Sequence, residues 1–175
     1  MPNSYAMDPR TSGFTLVELM VALAILAILV GLATPSFRDF TRSTQVTAAN
    51  NDLVTALNLA RSESLRRSTG VTVCSSADGA TCGAATDWKS GWIVFEDAGA
   101  SGVIADPTKV IQKWGTPNAN IQIGTASANV QYQPIGTAVT GAAIDVSYTA
   151  CRGQRRRHIQ VSAAGTISTQ LQNCP

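Results

Sequence analysis

The feature that most constrains this chain is a long apolar run near its start, from Phe14 to Ala33, which carries a single charge at Glu18. As an α-helix, these 20 residues would be about 30 Å long, enough to cross the hydrocarbon core of a bilayer. A polar leader and a small residue, Gly13, come before the run, which reverses the order of a secretory signal peptide. Cleavage after Gly13 would therefore remove the leader and keep the apolar helix.

Glu18 is the unusual residue within this run. A carboxylate near the middle of a membrane helix costs about 2.5–3.5 kcal/mol on insertion scales, so it is expected to have a function and a partner. Cleavage after Gly13 would supply that partner as a new α-amino group on Phe14, in the same chain or in a neighbouring copy. The alternative is that Glu18 lies at the membrane surface and is solvated. The adjacent Gly13–Phe14 junction favours the paired interpretation.

The segment Gly13–Glu18, Gly-Phe-Thr-Leu-Val-Glu, resembles the processing site of type IV prepilins and type II secretion pseudopilins. The resemblance implies that a prepilin peptidase cuts between Gly13 and Phe14 and methylates the new N-terminal Phe14. It implies that Glu18 helps to place each subunit in a helical filament. Pro35 lies where many of these helices carry a kinking proline. The implied partners are the peptidase, other minor and major pilins, and the inner-membrane assembly platform.

The length and composition suit one membrane-anchored helix followed by one modest globular domain. The chain has 175 residues, of which 14% are charged and 45% hydrophobic. We expect a leader at 1–13, a hydrophobic transmembrane half-helix at 14–35, an amphipathic half-helix at 36–69 and a β-rich domain at 70–175. The family resemblance places that domain in the periplasm of a bacterium, first on a single-pass inner-membrane protein and later at a pilus or pseudopilus tip.

The segment after Phe37 is polar but keeps helical spacing. It predicts one helix from about Phe14 to Arg67, with a stop at Thr69-Gly70. Apolar residues recur at intervals of three and four, which predicts one buried stripe. The stripe consists of Val46, Ala49, Leu53, Leu57 and Ala60.

After Gly70 the apolar period changes to two, and turn residues are frequent, which predicts short strands in a mainly antiparallel sheet. The predicted class is α+β, type IV pilin-like, with the long N-terminal helix packed on one face of this sheet. The candidate strands are Val71–Cys74, Gly91–Phe95, Val110–Trp114, Ile121–Gly124, Val130–Gln133, Ile144–Thr149, His158–Ser162 and Thr166–Thr169.

Two further segments resemble the GspH/FimT branch of these proteins. Leu59–Ser64 is similar to its Ala-Arg-Ser-Glu-Ala pattern, and Asp87–Phe95 is similar to its Trp-x-x-Gly-Trp segment. We expect Trp88 and Trp92 to be core residues. The resemblance is good from Gly13 to about Asp97 and weak between residues 101 and 141.

Four cysteines with only one histidine indicate disulfides and an oxidising compartment. Four cysteines allow three pairings, and we favour Cys74 with Cys82 and Cys151 with Cys174, because the first pair resembles one end of a hairpin. A zinc site is the alternative, but the spacing lacks the close cysteine pairs that zinc favours. We therefore expect no metal and no other cofactor.

No catalytic machinery is evident in the sequence. His158 is the only histidine, and it falls in an alternating strand pattern beside Arg157. Neither a glycine-rich phosphate loop nor a nucleophile elbow occurs. We expect that the protein is not an enzyme.

Four arginines, Arg152, Arg155, Arg156 and Arg157, lie within six residues and predict a positively charged loop. Such a loop could bind double-stranded DNA through its phosphates, remain solvated, or pair with acidic groups of an adjacent subunit. Some FimT-type minor pilins bind DNA through a Gly-Arg-x-Arg motif near the C-terminus. This chain has Gly165-Thr166-Ile167-Ser168 at that place, so DNA binding would require the arginine loop as a substitute.

The favoured interpretation is a minor pilin of the GspH/FimT branch that primes or joins pilus assembly at the filament tip. One alternative is a DNA-binding minor pilin for natural transformation. The other is a pseudopilin of a type II secretion system.

Overall fold

The computed structural model describes residues 13–83, 88–151, 153 and 155–174, and the side chains of all of these except 32–36. The chain divides into two compact units, unit 1 up to Phe40 and unit 2 from Thr41 onward. One helix, α1 (Leu16–Arg67), contributes residues to both.

Unit 1 consists, in its described part, of a short segment and the first half of α1. Its apolar side chains are exposed, from Phe14 and Leu16 to Val30. Within the part of the chain that the structure describes, no helix is both long enough and apolar enough to cross a membrane. The side chain of Pro35 is not described, so the kink that we expect there stays a prediction.

α1 ends at Arg67, the residue that the sequence predicted, two residues before the stop signal Thr69-Gly70. Ser68 adopts a left-handed conformation with φ 51°, and the N–H of Thr69 donates to the carbonyl oxygen of Ser64 over 3.3 Å, which closes the last turn. Gly70 is required for a different reason. A Cβ at this position would collide with the backbone oxygen of Asp97. The Thr69-Gly70 signal thus marks a close backbone approach just beyond the helix.

The described residues of unit 2 form eight strands, each of which overlaps one of the predicted strands. They form two four-stranded antiparallel sheets, and not the single sheet that the sequence suggests. Sheet A has the order β3-β2-β1-β5, and sheet B has the order β4-β6-β7-β8. β2 and β5 pair with the two sides of β1, whereas β6 pairs with β4 and β7, and β8 pairs with β7. The strands are β1 (Val71–Ser75), β2 (Trp92–Glu96), β3 (Val110–Trp114), β4 (Ile121–Thr125), β5 (Asn129–Tyr132), β6 (Ala142–Tyr148), β7 (Arg156–Val161) and β8 (Ile167–Gln172).

The main core of unit 2 joins α1 to both sheets. The predicted helix stripe is buried, and Ala56 and Ser64 extend it. Valines and isoleucines from the inner faces of both sheets complete the same cluster. Trp88 and Trp92 are fully buried in it, which confirms their expected role as core residues.

A smaller apolar cluster lies on the other face of sheet A. Cys74, Ile93 and Phe95 form its centre, so β1 is buried on both faces. The loop after β2 is held nearby by the buried carboxylate of Asp97. This carboxylate accepts hydrogen bonds from Thr72 Oγ1 at 2.8 Å and from the N–H of Gly102 at 2.8 Å.

Candidate functional site: the helix start and the arginine strand

The predicted cleavage junction lies just outside α1. Gly13, Phe14 and Thr15 are non-helical, and α1 begins at Leu16. The side chain of Phe14 is 86% exposed, and nothing lies within 4 Å of a Cβ placed on Gly13. The peptide bond that a prepilin peptidase would cut is therefore in an open, irregular segment. Cleavage and methylation at this bond stay predictions.

Glu18 and Thr15 form a reciprocal cap at the start of α1. The carboxylate of Glu18 accepts from the N–H of Thr15 at 3.0 Å and from its Oγ1 at 2.9 Å, and the N–H of Glu18 donates back to Oγ1 at 3.2 Å. This is a capping box, which satisfies backbone donors that a helix start would otherwise leave free. The signal Thr-x-x-Glu is present in the sequence at 15–18 and would have predicted it.

The capping box changes the interpretation of Glu18. The sequence suggested the amine of a cut Phe14 as its partner, whereas in the uncut chain its partner is Thr15. The negative charge of Glu18 also lies in the first turn, where it complements the positive end of the helix dipole. The carboxylate of Glu18 therefore caps the helix start in the uncut chain, and the new amine of Phe14 as its later partner stays a prediction.

The arginine cluster is not one continuous loop. Arg156 and Arg157 are the first two residues of β7, so their side chains point to opposite faces of sheet B. Arg157 faces α1, where its Nη2 donates to Oγ1 of Thr47 over 3.3 Å. Arg155 precedes the strand and is half-buried, and Arg152 lies outside the described residues. Arg156 and Arg157 therefore do not share the predicted loop surface, because they lie in a strand whose alternation separates them, and DNA binding by the four arginines stays a prediction.

Arg156 belongs to a polar cluster on the outer face of sheet B. Its Nη1 lies 3.4 Å from Oδ2 of Asp145, and its Nη2 donates to Oε1 of Gln172 at 2.6 Å. The other oxygen of Asp145 lies 2.7 Å from Nδ1 of His158. Strand register explains the cluster, because Asp145 is opposite His158, and Arg156 is opposite Gln172. Part of the charge of Arg156 is therefore already balanced within the chain.

The cysteines form two disulfides, Cys74–Cys82 and Cys151–Cys174, and none is free. This is the pairing that the spacing favoured. In the first loop, Asp78 accepts from the N–H groups of Ala80 and Thr81, each at 2.8 Å. These hydrogen bonds, together with one from the Thr81 hydroxyl, hold the pKa of Asp78 well below its usual range. Both disulfides thus close loops of the β-rich unit.

Within the described residues, no group of three His, Cys, Asp or Glu side chains could hold a metal ion. An open groove on α1 extends from Thr55 to Leu65 and includes Arg61. Its lining residues include no carboxylate, histidine or cysteine. The groove therefore offers a contact surface and no general acid or base. The expectations of no cofactor and no enzymatic activity stay predictions.

Two families match the chain. Residues 49–165 match the family described as type II transport protein GspH, and residues 8–34 match the prokaryotic N-terminal methylation motif. A fimbrial protein of Pseudomonas aeruginosa is 50% identical over 48 residues, which cover 27% of this chain and 30% of that protein. The type IV major pilin protein PilE1 of Neisseria gonorrhoeae is 44% identical over 43 residues, which cover 25% and 26%. The matches thus span less than a third of these curated relatives.

The fold has solved counterparts. A crystal structure of the type IV minor pilin FimU of Pseudomonas aeruginosa matches with a TM-score of 0.60 and 21% identity, over 78% of this chain and 99% of FimU. A second crystal form of FimU matches with a TM-score of 0.56 and 20% identity, over 74% and 99%. The predicted pilin-like α+β fold is therefore confirmed.

Proposed function

This chain belongs to the GspH family of pilin-like proteins, and we propose that it is a minor pilin that primes or joins the assembly of a type IV pilus, in a tip complex with other minor pilins. The observation that carries the proposal is the open Gly13–Phe14 junction directly before a capped apolar helix. The match of residues 8–34 to the methylation motif and the FimU-like fold of the remainder support it.

The proposed mechanism begins with the peptidase, which cuts between Gly13 and Phe14 and methylates the new amine of Phe14. Before assembly, the N-terminal segment anchors the protein in the inner membrane, with unit 2 in the periplasm. An oxidising periplasm agrees with the two disulfides. During assembly, the exposed apolar side chains of residues 16–30 pack against helices of other pilins.

Glu18 has the central role in this mechanism, because a carboxylate among apolar helices needs a positive partner. The new amine of Phe14, in the same chain or in a neighbouring subunit, would be that partner. Thr15 already holds the carboxylate at the start of α1, the end of the helix that directly follows the cleavage junction. The proposal therefore predicts that the charge of Glu18, and not its capping ability alone, is required for incorporation into a pilus.

Two variants separate charge from capping. Glu18→Gln keeps a side chain that can complete a capping box, whereas Glu18→Ala removes both the cap and the charge. We expect both variants to be cut after Gly13 and both to be lost from sheared pili, as measured by N-terminal sequencing and by immunoblotting of pili. Wild-type incorporation of Glu18→Gln would contradict the role proposed for the charge. A chain from the native host that still begins at Met1 would contradict the whole proposal.

A second candidate function is that of a type II secretion pseudopilin, which the description of the matched GspH family favours. Deletion of the gene separates the two candidates. A secretion role predicts that exported enzymes accumulate in the periplasm while twitching motility persists. A pilus role predicts the reverse. The partners are correspondingly pilins in one case and pseudopilins in the other.

DNA binding by the arginines is a weaker alternative, because Arg156 and Arg157 have partners within the chain. Its test is an electrophoretic shift of duplex DNA at low salt, with the fragment from Thr41 onward, which corresponds to unit 2. The matched variant changes Arg152, Arg155, Arg156 and Arg157 to Ala. A shift that the variant loses would support a receptor, and equal migration would exclude it.

A further inference from the structure

We propose that one end of unit 2, the entry end, contacts the anionic phospholipid headgroups of the membrane that holds the N-terminal segment before assembly. It is the end at which the chain enters unit 2, at Thr41. The entry end consists of the first residues of α1 in unit 2 and of segments at the ends of strands of sheet B, namely the described residues of 41–47, 117–120, 147–157 and 172–174. The inference rests on the proposed function, since it requires a membrane-anchored N-terminal segment.

Two contacts of α1 identify the part of sheet B that lies at the entry end. The guanidinium carbon of Arg42 is 5.4 Å from the centre of the Tyr148 ring, at the end of β6. Nη2 of Arg157, at the start of β7, donates to Oγ1 of Thr47 over 3.3 Å. Nineteen residues after Arg42 on the same helix, Arg61 contacts the turn between β7 and β8 instead. The end of β6 and the start of β7 therefore lie at the entry end, and the β7–β8 turn lies at the opposite end of unit 2.

Backbone hydrogen bonds and a disulfide bring the remaining segments to the entry end. The N–H of Thr149 donates to the carbonyl oxygen of Asn120 at 2.7 Å, which places the residue before β4 beside the end of β6. The disulfide Cys151–Cys174 joins the residues that follow β8 to the β6–β7 connection. The N–H of Cys174 also donates to the carbonyl oxygen of Gly153 over 2.9 Å. The connection that carries the arginines is therefore held in place.

The entry end is basic in its composition. Its four segments contain five arginines in the sequence and no aspartate, glutamate or lysine. Asp145 balances part of the charge of Arg156, whereas the contact of Arg157 with Thr47 is to an uncharged hydroxyl group. Positive side chains therefore outnumber the carboxylate that faces them. The arginines within the described residues are Arg42, Arg155, Arg156 and Arg157.

The opposite end of unit 2 has a balanced set of charges. Glu63 pairs there with Arg66 and Arg67 at the end of α1. Glu96 pairs with Arg67 and with Lys109. Cations and carboxylates thus share one network at this end, whereas the entry end has an excess of arginine. An anionic surface would attract unit 2 by its entry end, because that end carries the excess positive charge.

The chain itself keeps the entry end near a membrane. Thr41 follows Ala33, the last residue of the apolar run, by eight residues. A segment of that length spans at most about 29 Å even when fully extended, and the headgroup layer is about 5–8 Å thick on each side of the hydrocarbon core. Guanidinium groups bind phosphate oxygens through two N–H donors at once. An anionic bilayer attracts arginines that come within about a Debye length of its surface.

A lipid surface fits this end of unit 2 better than duplex DNA does. Arg156 and Arg157 point to opposite faces of sheet B, so the arginines do not form one row. The phosphates of a duplex have a fixed spacing, whereas separate lipid headgroups can move to each arginine. The short connection to the apolar run also brings the membrane, and not DNA, to this end.

Hydrogen exchange of the full-length protein in lipid nanodiscs tests the contact. One set of nanodiscs contains neutral phosphatidylcholine alone, and the other contains one part anionic phosphatidylglycerol to three parts phosphatidylcholine. At about 0.1 M salt we expect the amides of residues 149–155 to exchange at least about threefold more slowly in the anionic nanodiscs, and at about 1 M salt we expect no difference. Residues 163–166, at the opposite end, are the internal control and should exchange equally in both sets.

The outcomes separate this inference from the proposed function. Equal exchange of residues 149–155 in the two sets of nanodiscs would overturn the lipid contact and leave the pilin proposal intact. Failure of the full-length chain to enter nanodiscs would overturn both, because both require a membrane anchor. Duplex DNA added to the neutral nanodiscs gives a third arm. Protection of residues 149–155 by DNA and not by phosphatidylglycerol would assign the arginines to nucleic acid and overturn the lipid contact.

Two double variants test whether the arginines cause the effect. Arg42→Gln with Arg157→Gln removes two positive charges from the entry end, and Arg66→Gln with Arg67→Gln removes two from the opposite end. We expect the first variant to lose the slower exchange in anionic nanodiscs and the second to keep it. Slower exchange that persists in the first variant would overturn the inference. The comparison of lipids with the wild type needs no variant, so it decides if a variant unfolds.

Discussion

Arg61 on α1 donates a hydrogen bond from Nε to the carbonyl oxygen of Gly136, 3.0 Å away, and another from Nη2 to that of Ala164 at 3.3 Å. One guanidinium thus joins the helix to two turns of the β-rich unit that are far apart in sequence. Because the two acceptors are separate backbone oxygens, the site requires a side chain with several N–H donors, which the guanidinium of arginine supplies. This gives a structural reason for the arginine in the segment Leu59–Ser64.

Replacing Arg61 should destabilise the protein more than replacing another arginine of the same helix. Arg61→Met leaves two carbonyl oxygens without their charged donor, and we expect a loss of about 1.5–3 kcal/mol. The matched control is Arg66→Met, which breaks an exposed pair with Glu63 and should cost under about 1 kcal/mol. Urea unfolding of the fragment from Thr41 onward measures both. Equal losses would contradict the role of Arg61 as a link.

Gly165 contacts one of the carbonyl groups that Arg61 binds. It has a left-handed φ of 77°, and a Cβ there would collide with the carbonyl oxygen of Gly136. We expect Gly165→Ala to lower the free energy of unfolding by more than 1 kcal/mol, about the cost of a strained backbone position. Gly99→Ala is the control, since nothing lies within 4 Å of a Cβ at that site. The same unfolding curves compare the two, and a smaller loss at Gly165 than at Gly99 would contradict this account.

The sequence predicted the secondary structure well because apolar periodicity reports burial directly. The helix stripe from Val46 to Ala60 and the eight strands all occur in the structure. The division into two sheets could not be predicted, because it depends on β5 pairing with β1 across more than fifty residues. Local sequence patterns identify a strand but do not determine which distant strand it pairs with.

The candidate site was predicted less completely than the fold. The Gly13–Phe14 junction and Glu18 were evident, but the capping box with Thr15 was missed, although its signal is local. The arginine cluster was misassigned for a physical reason. β7 begins at Arg156, inside the run of arginines, where no alternation of apolar and polar residues marks the start of a strand.

Glu63 should make stability depend on pH at the acid end. Hydrogen bonds from Arg66 and Arg67 lower the pKa of Glu63 from 4.5 to about 2. The folded state therefore favours the carboxylate, and its contribution is complete above about pH 4.5 and lost as the pH falls toward 2. We expect the unfolding midpoint of Glu63→Gln to change less with pH between those values than the midpoint of the wild type does.

The control for Glu63 is Asp52→Asn, which removes the same charge from an exposed position of α1. Urea midpoints measured at half-unit steps from pH 2 to pH 6 give the slopes. Wild type and Glu63→Gln should converge at the lowest pH, because the wild-type carboxyl is then protonated as well. Parallel curves for wild type and Glu63→Gln would exclude Glu63 as the source of the pH dependence.

The two disulfides should differ in what they contribute to stability. By the chain-entropy estimate, the longer Cys151–Cys174 loop contributes about 3 kcal/mol and the shorter Cys74–Cys82 loop slightly less. Serine pairs at 151/174 and at 74/82 remove one disulfide each. Titration of the denatured wild type without reductant should find no free thiol. The same titration of each serine-pair variant should also find none, because the other disulfide remains. Four reactive thiols in the wild type would contradict the pairing.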